Sequence, residues 1–210
     1  MPQMTHSRGF LSQVQQLRKL VLWLAVLPFT AAFFAVAPLW REGSSGEEAI
    51  EMAAFGLIAL AVLGRTWCTL YIGGRKKRAL VDTGPYSLSR NPLYLFSVAG
   101  ALGIGMTTGS LTLGLLLAAF TFFVFDQVIR REEAFLGAQF GPAYIDYGRR
   151  TPRWLSLHAM WRDAAQLDVR PKLVLTTFRD ASLMLMALPV VEGIETLRGL
   201  AGLPVLLLLP

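Results

Sequence analysis

Apolar residues in this chain gather into long runs, and Asp, Glu, Lys and Arg collect in the gaps between them. A helix needs about 20 apolar residues to cross the hydrocarbon core of a bilayer, so each long run is a candidate span. The first covers about Leu17 to Trp40, with Arg18 and Lys19 at its start, Trp23 and Trp40 as interfacial anchors, and Pro28 and Pro38 placed to kink or end it. The second covers about Ala49 to Ile72, carries Arg65 in its last third and stops at Gly73-Gly74. A third begins at Pro92 and runs to about Met106. The turn Thr107-Thr108-Gly109-Ser110 then leads into a fourth run, Leu111 to Ile129, so these two form an antiparallel helical hairpin. A fifth span is placed over Leu173 to Val191 despite Arg179 and Asp180, whereas Leu200 to Leu209 is too short to cross alone. From Arg130 to about Arg170 the chain is too charged to span. Broken at Phe140-Gly141-Pro142, it reads as short helical pieces lying over the spans. The expected fold is all-α, a polytopic bundle of about five spans forming one membrane domain over residues 1–210.

Composition supports the membrane reading and narrows the function. Hydrophobic residues make up 54%, charged residues 16%, and the mean hydropathy is +0.49, against about 25% charged residues in soluble domains. The net charge of +6 sits beside spans rather than in an aromatic-interleaved groove, which argues against a nucleic-acid partner. Arg75, Lys76, Lys77, Arg78 and Arg90 lie between the second and third spans, and Arg130 and Arg131 follow the fourth, so that side is expected to be cytoplasmic. Glu42, Glu47, Glu48 and Glu51 fall on the opposite side. The N-terminus is then cytoplasmic too, and the first run, lacking a small-residue cleavage pattern, is expected to be a retained span, in a bacterial inner membrane. One cysteine, Cys68, and two histidines, His6 and His158, provide neither a disulfide framework nor a Cys/His zinc site within one chain. No metal site is expected.

Three groups of residues carry candidate chemistry. The first is Gly84-Pro85-Tyr86-Ser87-Leu88-Ser89-Arg90-Asn91-Pro92-Leu93-Tyr94. Its local reading is plain: Asn91 caps a helix, Pro92 takes the first helical position, Gly84-Pro85 makes a turn, and the tyrosines anchor at the interface. The second is Arg130-Arg131-Glu132-Glu133, whose adjacent carboxylates point about 100° apart on a helix, so that one of them faces inward. A solvated helix end with local ion pairs is its bland alternative. The third runs from Phe140-Gly141-Pro142 through Tyr144 and Tyr147 to Arg149-Arg150-Thr151-Pro152, and taken alone suggests only interfacial anchoring.

In this order the three groups resemble the isoprenylcysteine carboxyl methyltransferase family and its phospholipid methyltransferase relatives over roughly Arg65 to Pro152. The family pattern is a Gly-x-Tyr turn, Arg-His-Pro-x-Tyr, a helical hairpin, a Glu-Glu pair and Phe-Gly-x-x-Tyr-x-x-Tyr ending near a Val-Pro. Two positions depart from it: Asn91 stands for the histidine, which removes any proton-carrying role there, and Phe96 stands where many members have glycine. The resemblance implies a membrane methyltransferase that uses S-adenosylmethionine in a pocket near the cytoplasmic face. No Gly-x-Gly-x-x-Gly after a predicted strand is present, as expected if the site is not of the soluble type. Tyr86, Arg90, Asn91, Pro92, Tyr94, Glu132 and Glu133 are the implied cofactor residues. Arg149, Arg150, Tyr144 and Tyr147 are the candidates for substrate, and Arg150 and Glu133 for catalysis, with Arg153 a third arginine able to position a carboxylate.

The implied acceptor is a lipophilic molecule, a lipid or a lipidated substrate, with carboxyl O-methylation of an isoprenylcysteine-like group favoured and phospholipid N-methylation as the alternative. A sterol-reductase-like enzyme using a nicotinamide cofactor is the more distant one, for which the chain is short. A transporter would explain Arg65 within a span but not the ordered motifs.

Overall fold

Long helices form where the apolar runs predict them in the computed structural model, which describes residues 36–40, 44–75, 78–155, 160–201 and 207–209. Helix α1 (Ser45–Ile72) starts where the Ser44 side chain accepts a 3.3 Å hydrogen bond from the Glu47 amide, with Glu47 and Glu48 set against the positive end of the helix dipole. It ends at Gly73. A single turn, α2 (Pro85–Leu88), precedes α3 (Pro92–Met106), α4 (Leu111–Phe140) and α5 (Pro142–Arg150). The last rod consists of α6 (Pro171–Ser182), a 3-10 turn (Leu183–Met186) and α7 (Ala187–Ala201). Among the described residues, α1, α4 and the rod Pro171–Ala201 are long and apolar enough to cross a membrane, and α3 is a shorter apolar helix.

The α3–α4 hairpin is buried at its tip. With 15 residues, α3 reaches only about 22 Å, short of a core about 30 Å thick. Thr107, Thr108 and Ser110 are therefore enclosed by protein, where each hydroxyl needs a partner. Thr107 Oγ1 donates to the Ile104 carbonyl at 2.7 Å, Thr108 Oγ1 to that of Gly105 at 2.9 Å, and Ser110 Oγ accepts from the Leu113 amide at 3.2 Å.

Small residues let α3 approach its neighbours at backbone distance. A Cβ at Gly103 would lie 2.8 Å from the Ala54 carbonyl oxygen, and one at Gly105 would lie 2.5 Å from Gly114 Cα. Phe96 occupies the space that Gly64 leaves on α1, where a Cβ would fall 2.3 Å from the ring. The bulk of Phe96, where the resembled family often has glycine, is thus matched by a glycine on the facing helix. Arg65 donates to Ser97 Oγ across the same interface, and Ser97 donates onward to the Leu93 carbonyl at 2.8 Å. These hydrogen bonds tie α1 to α3 through Arg65.

Several expected boundaries shift. Most of the first run, Leu17 to Trp40, lies outside the described residues, as do His6, His158, Lys76 and Lys77. Its end is not helical: β1 (Val36–Pro38) is extended and pairs in parallel with β2 (Leu207–Leu209), which also takes up the end of the final leucine run. Pro38 explains part of this, because proline lacks an amide donor and disfavours helical geometry in the residue before it. Helix α4 does not stop at Ile129. It continues to Phe140, because nothing between them breaks a helix until Gly141, at φ +55°, and Pro142. Arg130 to Glu133 therefore extend the fourth span itself, at a depth set by its packing.

Candidate active site

Gly84 turns the chain with φ +59° and ψ −134°, a conformation open in practice only to glycine. Its amide donates to the Arg162 carbonyl at 2.7 Å. Ser87 Oγ donates to the Gly84 carbonyl at 2.7 Å and accepts from the Arg162 amide at 3.1 Å. Further along, the Arg90 amide donates to the Pro152 carbonyl at 2.8 Å, while Ser89 Oγ and Asn91 Nδ2 both donate to the Arg153 carbonyl at 3.2 Å. The first and third motif groups are thereby joined backbone to backbone. Asn91 occupies the N-cap position and Pro92 the first helical position, but the Asn91 side chain does not cap α3. It is used to hold Arg153, which corrects the local reading of that residue.

A cavity opens between this segment, α4 and α5. Its enclosed volume is about 110 Å³, and it opens to the surface at its mouth. Tyr86, Arg90, Asn91, Tyr94, Glu132, Glu133, Tyr144 and Tyr147 line it, together with an apolar wall that includes Leu93, Phe135, Leu136 and Phe140. Pro92 is buried but lies outside the lining. Arg149 and Arg150 also lie outside. Arg149 pairs with Asp146 at 3.4 Å, and Arg150, its side chain 51% exposed, pairs with Asp82 at 3.2 Å.

The cavity floor is an ion network on one face of α4. Glu133 Oε2 accepts from Arg153 Nη2 at 2.7 Å and Nε at 3.0 Å, while Glu133 Oε1 lies 3.3 Å from Arg90 Nη1. Two turns earlier on the same face, Asp126 pairs with Arg130 at 2.6 Å and approaches Arg153 at 3.7 Å. Glu133 is thus held between two guanidinium groups, a geometry suited to anchoring them. The Glu133 carboxylate also helps to hold the Arg153 guanidinium above its ordinary pKa. Arg153 carries more of the site than Arg149 or Arg150, although it was only the third arginine in the sequence reading. Asp126 was missed; its one signal was an acid within an apolar run.

The residues present fit a zwitterionic cofactor. Arg90 Nε is buried without a hydrogen-bond partner in the protein, and a carboxylate of such a cofactor would satisfy it. Gly148 leaves room for the same guanidinium, since a Cβ there would sit 3.3 Å from Arg90 Nη1. Glu132 adds a second carboxylate to the wall.

Tyr147 ties α5 to the motif turn, its hydroxyl donating to the Tyr86 carbonyl at 2.7 Å. Burial pushes the phenols of Tyr86, Tyr147 and Tyr144 above their ordinary value, so these groups keep their protons. A folded-state pKa above the unfolded one means that the contribution is complete below about pH 10 and is lost as pH rises beyond it. Tyr147→Phe should destabilise the protein by about 1–3 kcal/mol, because the Tyr86 carbonyl is left unsatisfied. Denaturant unfolding below pH 9 should show this difference, which should narrow in strong alkali.

Residues 53–143 match the family model described as phospholipid methyltransferase. The chain is 37% identical over 153 residues to the nickel-cobalt-cadmium resistance protein NccN of Alcaligenes xylosoxydans xylosoxydans, an alignment covering 73% of this chain and 71% of that protein. It is 44% identical over 105 residues to the cobalt-zinc-cadmium resistance protein CzcN of Cupriavidus metallidurans, covering 50% and 48%. It is 31% identical over 100 residues to a protein-S-isoprenylcysteine O-methyltransferase of Schizosaccharomyces pombe, covering 47% and 42%. The last two alignments span less than half of each relative. No solved structure matches.

Proposed function

Because this chain belongs to the membrane methyltransferase family that includes the phospholipid and isoprenylcysteine carboxyl methyltransferases, we propose that it methylates a lipophilic acceptor with S-adenosylmethionine. The observation that carries this reading is the unpartnered, buried Nε of Arg90 on a cavity wall shared with Glu132 and Glu133. When bound, S-adenosylmethionine would supply a methyl group on a sulfonium. Arg90 holds the carboxylate end, Glu132 takes the amine or ribose, and the faces of Tyr86 and Tyr94 favour the positive charge. Glu133 keeps Arg90 and Arg153 in register. The apolar wall of Leu93, Phe135, Leu136 and Phe140 excludes water and aligns the lipophilic acceptor, which is most of what a direct displacement requires.

A carboxylate acceptor of the isoprenylcysteine type suits this wall best. It is ionised at neutral pH and needs no base, whereas a lipid amine must first lose a proton, and Glu133 is already held by two arginines. Arg149 and Arg150 we assign to lipid phosphates at the membrane surface, which the positive-inside bias places in the cytoplasm. In a calorimetric titration, wild-type protein should bind S-adenosylmethionine and Arg90→Ala should bind it about tenfold or more weakly. Absence of binding by wild type would sink the proposal. With labelled cofactor, base-labile product from a prenylcysteine analogue identifies an ester, and base-stable label in phosphatidylethanolamine identifies an amine.

Two relatives are named as metal resistance proteins, which favours a second, compatible reading in which the methylation serves metal tolerance. Among the described residues no group of three or more His, Cys, Asp or Glu is placed to hold a metal ion, so the contribution is assigned to the modified acceptor. Metal tolerance restored to a deletion strain by Glu133→Ala as well as by wild type would separate resistance from methyl transfer.

A further inference from the structure

Arg179 and Asp180 lie deep in the last span and face away from the other described helices. Their depth follows from packing, because the next residue, Ala181, is buried against Ile58 and Val62 of α1. Those two contacts sit about 21 Å and 15 Å along the helix axis from Ile72. The Pro171–Ala201 rod, like α1, is long and apolar enough to cross the membrane. The Arg179 and Asp180 side chains are 77% and 54% exposed, and among the described residues they pair only with each other, at 3.1 Å. Lys172, Thr176 and Arg179 border one shallow hollow with Leu175, at the spacing of a single helix face.

Charged groups facing lipid at this depth are strongly disfavoured. Arginine can lift its head group towards the surface along its long stem. Asp180, with one methylene, has no such route. A polar stripe within a span is expected to be covered by protein, and this one is complementary to itself. A two-fold axis along the membrane normal brings equal depths together, so Arg179 of each copy meets the partner's Asp180.

We propose that the Lys172–Thr176–Arg179–Asp180 face of α6 docks against the same face of a second copy, forming a parallel dimer within the membrane. Stacked against each other, the two stripes replace two lipid-exposed ion pairs with one four-charge cluster shielded from lipid. The assembly does not depend on the identity of the cofactor or the acceptor.

The test uses full-length protein in neutral-lipid vesicles, with separate pools labelled with donor and acceptor fluorophores. Wild type should show energy transfer above a random-dilution control. Arg179→Asp and Asp180→Arg should each weaken self-association about tenfold or more, since the symmetry axis then juxtaposes like charges, and mixing the two variants should restore it. An otherwise wild-type Thr176→Cys chain should form a covalent dimer on oxidation, which keeps the test independent of how the charge variants fold. No transfer by wild type would overturn the dimer and leave the stripe to lipid headgroups. Wild-type association by both charge variants, or cross-linking of Thr176→Cys only within a chain to a second cysteine placed in residues 20–35, would overturn the interface.

Discussion

Glu133→Ala should weaken S-adenosylmethionine binding about a hundredfold or more and lower stability by about 2–3 kcal/mol, somewhat less than for a fully buried pair because the site is partly open. The side chains of Arg90, Arg153 and Glu133 are 18%, 30% and 12% exposed. Deleting the carboxylate leaves two guanidinium groups facing each other with no shared counter-ion, and Asp126, already paired with Arg130, reaches Arg153 only at 3.7 Å. Arg90 is then pushed from the geometry that offers Nε to a ligand. Glu133→Gln keeps the shape without the charge and should fall between wild type and Ala in both measurements. Glu132→Ala should weaken binding. Equal binding by wild type and Glu133→Ala in calorimetry would show that the network is not part of the cofactor site.

The second large effect is expected from Gly84→Ala. Its backbone has φ +59° and ψ −134°, and a Cβ there would fall 2.2 Å from the Tyr71 ring. Tyr71 cannot easily move, since its hydroxyl bonds Asp163 at 2.9 Å and its ring packs with Cys68 and Tyr86. Backbone strain and overpacking of this kind each cost about 1–3 kcal/mol. The substitution should therefore lower stability by about 3 kcal/mol or more and release the Gly84–Arg162 connection. Limited proteolysis should cut the segment around residues 82–90 faster in the variant, while the helical content of the spans changes little. A variant that melts like wild type would show that the turn relaxes into a conformation open to alanine.

The spans were legible because lipid leaves the chain few choices. Long apolar runs must become helices that satisfy their own backbone, and α1, α3 and α4 form where those runs lie. Helix starts and stops with local chemistry were also readable, as Gly73, Pro92 and Gly141-Pro142 show. The end of the first run was not, because β1 depends on β2, which lies far away in the chain.

The candidate site divides in the same way. Arg90 and Glu133 were recognisable from motif order, yet their mutual contact was not written in either motif. Arg153 and Asp126 show why: the helix α5 ends at Arg150, and only the return of Thr151 to Arg153 against Arg90 and Asn91 decides which arginine meets α4. Asn91 likewise has two possible uses in sequence, cap or tie, and the nearby Arg153 carbonyl selects the second.

Sequence alone determined what each segment had to be: membrane-crossing helices, a glycine turn, and a family of motifs carrying opposite charges. Those follow from local sterics and from burial, which act over a few residues or along one helix. Only the tertiary structure decided which charges meet, because ion pairing depends on distances between segments far apart in the chain. It placed Glu133 between Arg90 and Arg153, left Arg150 with Asp82 outside the cavity, and turned Arg179 and Asp180 away from the other described helices.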